Sequence, residues 1–483
     1  MNILFAVSEA LPYIKSGGLG DVAGSLPVAI NKKGHDCRVV IPLYKDIPQK
    51  LRSNMKYITN MTVDVAWRKQ YCGIFTADVN GVTYYFLDNE YYFGRSGLYG
   101  FYDDCERFTF FSRAILEMLR YIDFKPDVIN SNDWETALVP VYYQVFYKYQ
   151  QGYEKIRNTF TIHNIKYQGK YGTEVVNELM GIPLYHSDLL MYDGCVNMMK
   201  GAIETADKIN TVSPSYAWEI LDPWYSHGLD RILINKQYKL CGFLNGIDTI
   251  DYDPLCDSII AKNYSADDTS GKAICKEVLL STLGLQEGDE PVFAIVTRLV
   301  AHKGLDLVKC VFDDIMALGC KFIILGTGDK EYEEFFVEMQ RKYPDTVSAN
   351  IKFDPNLARQ IYAGADFFLM PSQSEPCGLS QMIAMRYGTV PIVRETGGLR
   401  DTVKDCGDEN GNGFTFKSYN AHDMLASCRC ALSLYQDKPS WNELIANDMK
   451  LDFSWDNTSE YYLGLYRELV SWNNYLLYIY FSR

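Results

Sequence analysis

"SGGLGDVAGSL", residues 16–26, is the stretch on which the fold reading turns. It follows an apolar run, "NILFAV" (2–7), and contains Gly18-x-Gly20-x-x-Ala23, a permitted spelling of the dinucleotide-binding loop. Glycines between a strand and a helix would sit at the helix N-terminus, where N–H groups and the dipole favour an anion. Two local details argue against a nicotinamide cofactor. "SEALPYIKS" separates Val7 from Gly17, whereas dinucleotide glycines follow their strand at once. Where a ribose-binding Asp or Glu belongs, at the end of the next strand-like run, stand Ile41, Pro42 and Leu43. The glycines point to a different phosphate, with Lys15 just ahead of them as its cation.

Outward from this stretch, short β-branched runs alternate with amphipathic segments. In the first half these are "CRVVIPLY" (37–44), "DVIN" (127–130), "NTFTIH" (158–163) and "KINTVS" (208–213), with helices expected over Glu106–Tyr121 and Trp134–Tyr147. That alternation predicts buried parallel strands with crossover helices. Residues 61–87 show looser period-two alternation around "VNG", which predicts a β-hairpin insertion.

A turn-rich stretch, "NGIDTIDYDP" (245–254), precedes a restart of the pattern: "VFAIV" (292–296), "KFIILG" (321–326), "ANIKF" (349–353), "DFFLMPS" (366–372) and "TVPIVR" (389–394). The expected fold is α/β, two Rossmann-like doubly wound domains facing across a deep cleft, with ligands at the carboxyl ends of the strands. The glycine pair returns as "GGLRDTV" (397–403), again between a strand and a helix. "TRLVAHKGLDL" sets Arg298 and Lys303 at a strand's carboxyl end, where two cations can clamp a diphosphate. Glu375, in "SEPCGLSQM", follows a buried-type strand, which aims its carboxylate at the same cleft.

The 483 residues exceed one core, and the net charge of -14 argues against a sequence-independent nucleic-acid or acidic-membrane binder. Thirteen cysteines lack any CxxC or framework spacing, which fits a reducing compartment, and none of the six histidines sits at metal-ligand spacing with another. The Asp251-x-Asp253 pair reads as turn residues before Pro254, so no metal is expected. No transit-peptide signal and no long apolar segment stands out, so the expected location is cytoplasmic.

Ten ordered segments carry a resemblance. They include "KSGGLGDVAGSLP", "YFGRSGLYGFYDDCERFTFFSRAILE", "NDWETALVP", "TIHNIKYQG", "NGIDT", "TRLVAHKGLDL", "LGTGD" and "SEPCGLSQMIAMRYGTVPIVRETGGLRDTV", and the set spans residues 2 to about 466. The chain resembles the bacterial glycogen synthase and plant starch synthase family, retaining glucosyltransferases of GT-B architecture. The resemblance implies an acceptor-side domain over 1–244, a nucleotide-sugar domain over 245–455, and a C-terminal helix over 456–483 that packs back on the first domain.

It implies that Lys15, Gly17 and Gly18 meet the donor's phosphates and glucosyl unit, and that Arg298 and Lys303 hold the departing diphosphate. His163 would line the glucose pocket, Glu375 would face the transferred sugar, and Cys377 would be its neighbour. Thr396, Gly397, Gly398 and Leu399 would offer N–H groups to the distal phosphate. Phe353 would lie against the base, Asp133 and Asn245 would complete the cleft wall, and Tyr99 would contact the acceptor.

The implied activity is transfer of glucose from ADP-glucose to an α-1,4-glucan, without cofactor or metal. UDP-glucose as donor, or a catalytically silent glucan-binding scaffold, are the alternatives. Three departures stand out. Glu135 replaces the family's usual His after Asp133-Trp134, Gln373-Ser374 replaces Arg-Phe, and Ile383 stands where many other retaining glycosyltransferases carry a second glutamate.

Overall fold

The computed structural model describes residues 1–481, with side chains through residue 471. It divides into two compact units. The first comprises Met1–Val212, Ala217–Gly246 and the chain from Trp455 onward; the second comprises Ser213–Tyr216 and Ile247–Ser454.

The first unit is built on strands β1 (Asn2–Ala6), β2 (Asp36–Pro42), β3 (Lys56–Val65), β4 (Arg68–Val79), β5 (Val82–Asp88), β6 (Val128–Asn132), β7 (Arg157–Ile162), β8 (Lys170–Tyr171), β9 (Met191–Tyr192), β10 (Cys195–Asn197), β11 (Lys208–Thr211) and β12 (Leu240–Gly242). Nine form one sheet in the order β12-β11-β7-β6-β1-β2-β5-β4-β3, and β8, β10 and β9 form a small second one. Central β1 is apolar without alternation because it is covered on both faces; Ile3, Leu4, Phe5 and Ala6 are all buried.

At one edge β3 alternates, with Met61, Val63 and Val65 inward and Thr62 and Asp64 outward. The expected hairpin is present as β4–β5, and what is corrected is its status as a separate insertion. β4 pairs antiparallel with both β3 and β5, while β5 runs parallel to β2, so the segment extends the main sheet. The Asn80-Gly81 turn, with φ of 52° and 76°, joins β4 to β5 as the pair of letters suggested.

The helix expected over Trp134–Tyr147 is three pieces: a 3-10 turn (Trp134–Thr136), an α-helix (Leu138–Tyr142) and a π turn (Tyr143–Tyr147). Pro140 lacks the N–H that a continuous helix from Trp134 would need. The long helix Trp455–Phe481 belongs to the first unit. It buries Tyr462, Leu463, Tyr466 and Leu469; Tyr466 accepts a 2.6 Å hydrogen bond from Asn130 of β6, and Glu460 pairs with Lys33 at 2.7 Å. The last two residues of the expected 456–483 segment lie outside the described residues.

In the second unit β13 (Val292–Val296), β14 (Lys321–Leu325), β15 (Val347–Asn350), β16 (Phe367–Met370), β17 (Val390–Arg394) and β18 (Phe414–Phe416) make one parallel sheet, ordered β15-β14-β13-β16-β17-β18. The strand expected over 349–353 lies earlier, because pairing with β14 stops at Asn350 and Asp354 caps the next helix by accepting from Leu357 N–H at 3.0 Å. Both units are doubly wound α/β sheets.

Candidate active site

Sheet order brings the candidate residues of the first unit together. β1, β6 and β7 are neighbours, so the loops leaving their carboxyl ends, which carry Glu9–Gly17, Asp133 and His163, lie side by side. Helix α1 (Gly18–Lys32) begins at the glycine pair, and its cap residue Gly17 has no side chain to serve the exposed N–H groups. Glu9, which sequence reasoning passed over, takes that part. Its buried carboxylate accepts from Ser16 N–H, and the N–H groups of Gly17 and Gly20 also bond to it. Desolvation raises the Glu9 pKa, and these donors oppose the rise. Lys15 pairs with Asp21 at 2.8 Å on the half-exposed rim of the same loop.

Asp133 stands at φ 53° and accepts from the N–H groups of His163 and Asn164 at 2.7 and 3.2 Å. His163 Nε2 meets Asn132 Oδ1 at 2.9 Å. Desolvation pushes the His163 pKa down to about 3, so the ring is neutral. Tyr99 is half-buried and its hydroxyl meets Ser8 Oγ at 2.7 Å. Its loop is held by Arg107, a fully buried arginine whose role the sequence pattern did not mark. Arg107 donates to Tyr92 O at 2.8 Å and Leu98 O at 3.0 Å and pairs with Asp104 at 2.5 Å. Asn245 is buried with Oδ1 unbonded among the described residues. Glu135, where the family pattern has His, is 6% exposed; burial, and then the Asp133 charge, push its pKa well up.

In the second unit β13, β16 and β17 are adjacent, and their outgoing loops carry Arg298 and Lys303, Glu375, and Thr396. Lys303 Nζ meets Glu375 Oε2 at 2.6 Å, and Ser372 Oγ donates to the same oxygen at 3.0 Å. Gly304, at φ 74°, makes this possible: a Cβ there would lie 2.0 Å from Pro371 O. Arg298 is exposed and has no side-chain partner among the described residues. Phe353, left just outside β15, is 81% exposed. Gln373 is anchored through its backbone, donating to His302 O at 2.9 Å and accepting from Arg394 at 2.7 Å. The departure at Gln373-Ser374 therefore leaves the loop's main chain held.

Three of the N–H groups assigned to a distal phosphate have main-chain partners. Thr396 N–H bonds to Arg394 O at 2.9 Å, Gly398 N–H to Glu375 O at 3.1 Å and Leu399 N–H to Thr396 O at 3.0 Å. The helix they open, Gly397–Thr402, has six residues, and Gly398 N–H ties its first turn to the Glu375 loop. Cys377 is buried beneath it, with its carbonyl oxygen 2.1 Å from where a Gly398 Cβ would stand. Asp251 and Asp253 bond to Arg359 and Arg386 respectively. Among the described residues no group of three or more His, Cys, Asp or Glu is placed to hold a metal ion.

The family model for the starch synthase catalytic domain matches residues 2–235, and that for glycosyl transferases group 1 matches 284–446. A glycogen synthase of Bacillus cereus is 48% identical over 475 residues, covering 97% of this chain and 100% of its own. One from Clostridium beijerinckii is 48% identical over 476 residues, covering 97% and 99%. The catalytic domain of starch synthase IV from Arabidopsis thaliana, solved with ADP and acarbose, superposes with a TM-score of 0.90 at 33% identity, covering 97% of this chain and 99% of its own.

Proposed function

From the premise that the chain belongs to the glycogen synthase and starch synthase family of glucosyltransferases, we propose that it transfers glucose from ADP-glucose to the non-reducing end of an α-1,4-glucan, with retention and release of ADP. The observation that carries this reading is the Lys303–Glu375 pair on adjacent loops, with Arg298 on the same loop as Lys303. As the glycosidic bond breaks, negative charge gathers on the diphosphate. Fixed cations there bind the transition state more tightly than the ground state. Arg298, Lys303 and Lys15 are the groups for that task.

Glu375 Oε2 is engaged by Lys303 and Ser372, which suits a carboxylate that holds a cation in place better than one that attacks carbon. Front-face attack by the acceptor hydroxyl, with a phosphate oxygen taking its proton, accounts for retention. His163 lines the glucose pocket in this reading, Asp133 and Asn245 complete its wall, Tyr99 meets the acceptor, and exposed Phe353 stacks on the base. The phosphate contacts rest on the cations and Gly17–Gly18 more than on the Thr396–Leu399 N–H groups. No cofactor or metal enters the scheme.

Among the described residues no helix is long and apolar enough to cross a membrane, and all thirteen cysteines are free, which supports a cytoplasmic setting. The test is transfer of labelled glucose from ADP-glucose and from UDP-glucose to glycogen, with wild type beside Lys15→Ala and Glu375→Ala. Transfer that collapses in both variants supports the reading, and the donor ratio names the nucleotide. Glycogen binding without transfer from either donor would make the protein a scaffold.

A further inference from the structure

Asn132 closes β6, and its side-chain amide is fixed by what surrounds it. Nδ2 lies 3.0 Å from Ala6 O and 3.2 Å from Asn130 O. Carbonyl oxygens only accept, so both amide protons are spent there and Oδ1 must be the atom facing His163. At 2.9 Å from that oxygen, His163 Nε2 must in turn be the donor. The chain of obligations starts at the end of β1 and ends on the imidazole.

We infer that Asn132 is a positioning residue that holds His163 in the Nε2–H tautomer, leaving Nδ1 as a pure hydrogen-bond acceptor for a hydroxyl of the transferred sugar. The assignment to a sugar hydroxyl rests on the glucosyltransferase reading; the tautomer does not. Nδ1 makes no hydrogen bond among the described residues. The charged groups around the ring do not call for an imidazolium. Asp133 Oδ1 is taken up by the backbone N–H groups of His163 and Asn164, and Glu9 is bonded to the Ser16–Gly20 turn. Desolvation also disfavours the second proton. A neutral ring of this tautomer neither protonates the leaving phosphate nor repels the positive charge that develops on the sugar. It offers a lone pair, which selects a substrate carrying a hydroxyl at that point.

The test uses the full chain labelled with 15N-histidine, the His163 signals being identified with His163→Gln. Wild type is expected to give the Nε2–H pattern with no titration between about pH 5 and 9. An Nδ1–H pattern, or titration in that range, overturns the inference.

Two variants read the consequence in glucose transfer. Asn132→Asp sets a carboxylate against Nε2, which favours the second proton. kcat should then fall on the acid side of neutrality and recover at alkaline pH, while wild type lacks that limb. Asn132→Leu removes the acceptor, and kcat should drop about ten-fold at every pH. Equal, pH-independent losses in both variants would mean a merely structural role and would overturn the inference. If wild type transfers no glucose at all, the functional reading fails, and the 15N spectrum alone decides the tautomer.

Discussion

The two glycine pairs share the letters Gly-Gly-Leu and a place at a helix N-terminus, yet they are held differently. In the first unit a side chain, Glu9, takes the N–H groups at the head of α1. In the second, main-chain carbonyls of Glu375 and Thr396 take those of Gly398 and Leu399. A Cβ on Gly17 would find only the Glu9 carboxylate, 3.9 Å away, whereas one on Gly398 would lie 2.1 Å from Cys377 O. The first turn is open at Gly17, where it rests on a carboxylate, although Gly20 packs closely on Lys15. The second is packed against its neighbouring loop. Similar sequence has produced one terminus met by a side chain and one met by the main chain of a neighbouring loop.

The largest effect that sharpens this contrast concerns the cations. Lys303→Ala should lower glucose transfer by about 100–1000-fold. It should also lower the melting temperature, because Glu375 is left buried without its cation. Lys15→Ala should lower transfer by a similar factor with the melting temperature unchanged, since its pair with Asp21 is on the rim. Next in size, Gly398→Ala should destabilise the protein by about 1–3 kcal/mol in urea denaturation, as an overpacked position. An unchanged midpoint would break the contrast.

Glu9→Ala strips the cap from α1 and should cost about 1–2 kcal/mol by the same measurement.

A pH effect comes from the buried acids of the first unit. Glu135 is raised well above its ordinary value of 4.5 by burial. The native state therefore keeps a proton that the unfolded chain releases, so stability declines as pH rises from about 4.5 toward the native value. Glu135→Gln should flatten that decline and raise the melting temperature at pH 8; a steeper profile would contradict the assignment. Smallest of all, Gly17→Ala should change stability by no more than about 0.5 kcal/mol, because φ at Gly17 is -157° and the space is open.

Much of this was legible in the chain itself. Runs such as "VFAIV" coincide with β13 because a parallel strand covered on both faces must be apolar throughout. The sheet neighbours of those strands were not legible. It is the pairing of β13 with β16 that brings Lys303 to Glu375, 72 residues apart. Period-two alternation marked residues 61–87 as β, yet only the contact of β5 with β2 shows that they extend the main sheet. Phe353 read as part of a strand because its letters suit one, and the cap at Asp354 overrode that propensity.

By itself the sequence determined the alternating α/β pattern, the two glycine turns and the side chains able to meet a diphosphate, because these follow from periodicity and from what each residue type can do locally. Tertiary structure alone decided that Glu9 caps α1, that Asn132 orients His163, and that the Glu375 loop meets the second glycine turn. Each of these depends on which atoms of distant segments come within hydrogen-bond distance, and no local pattern records that.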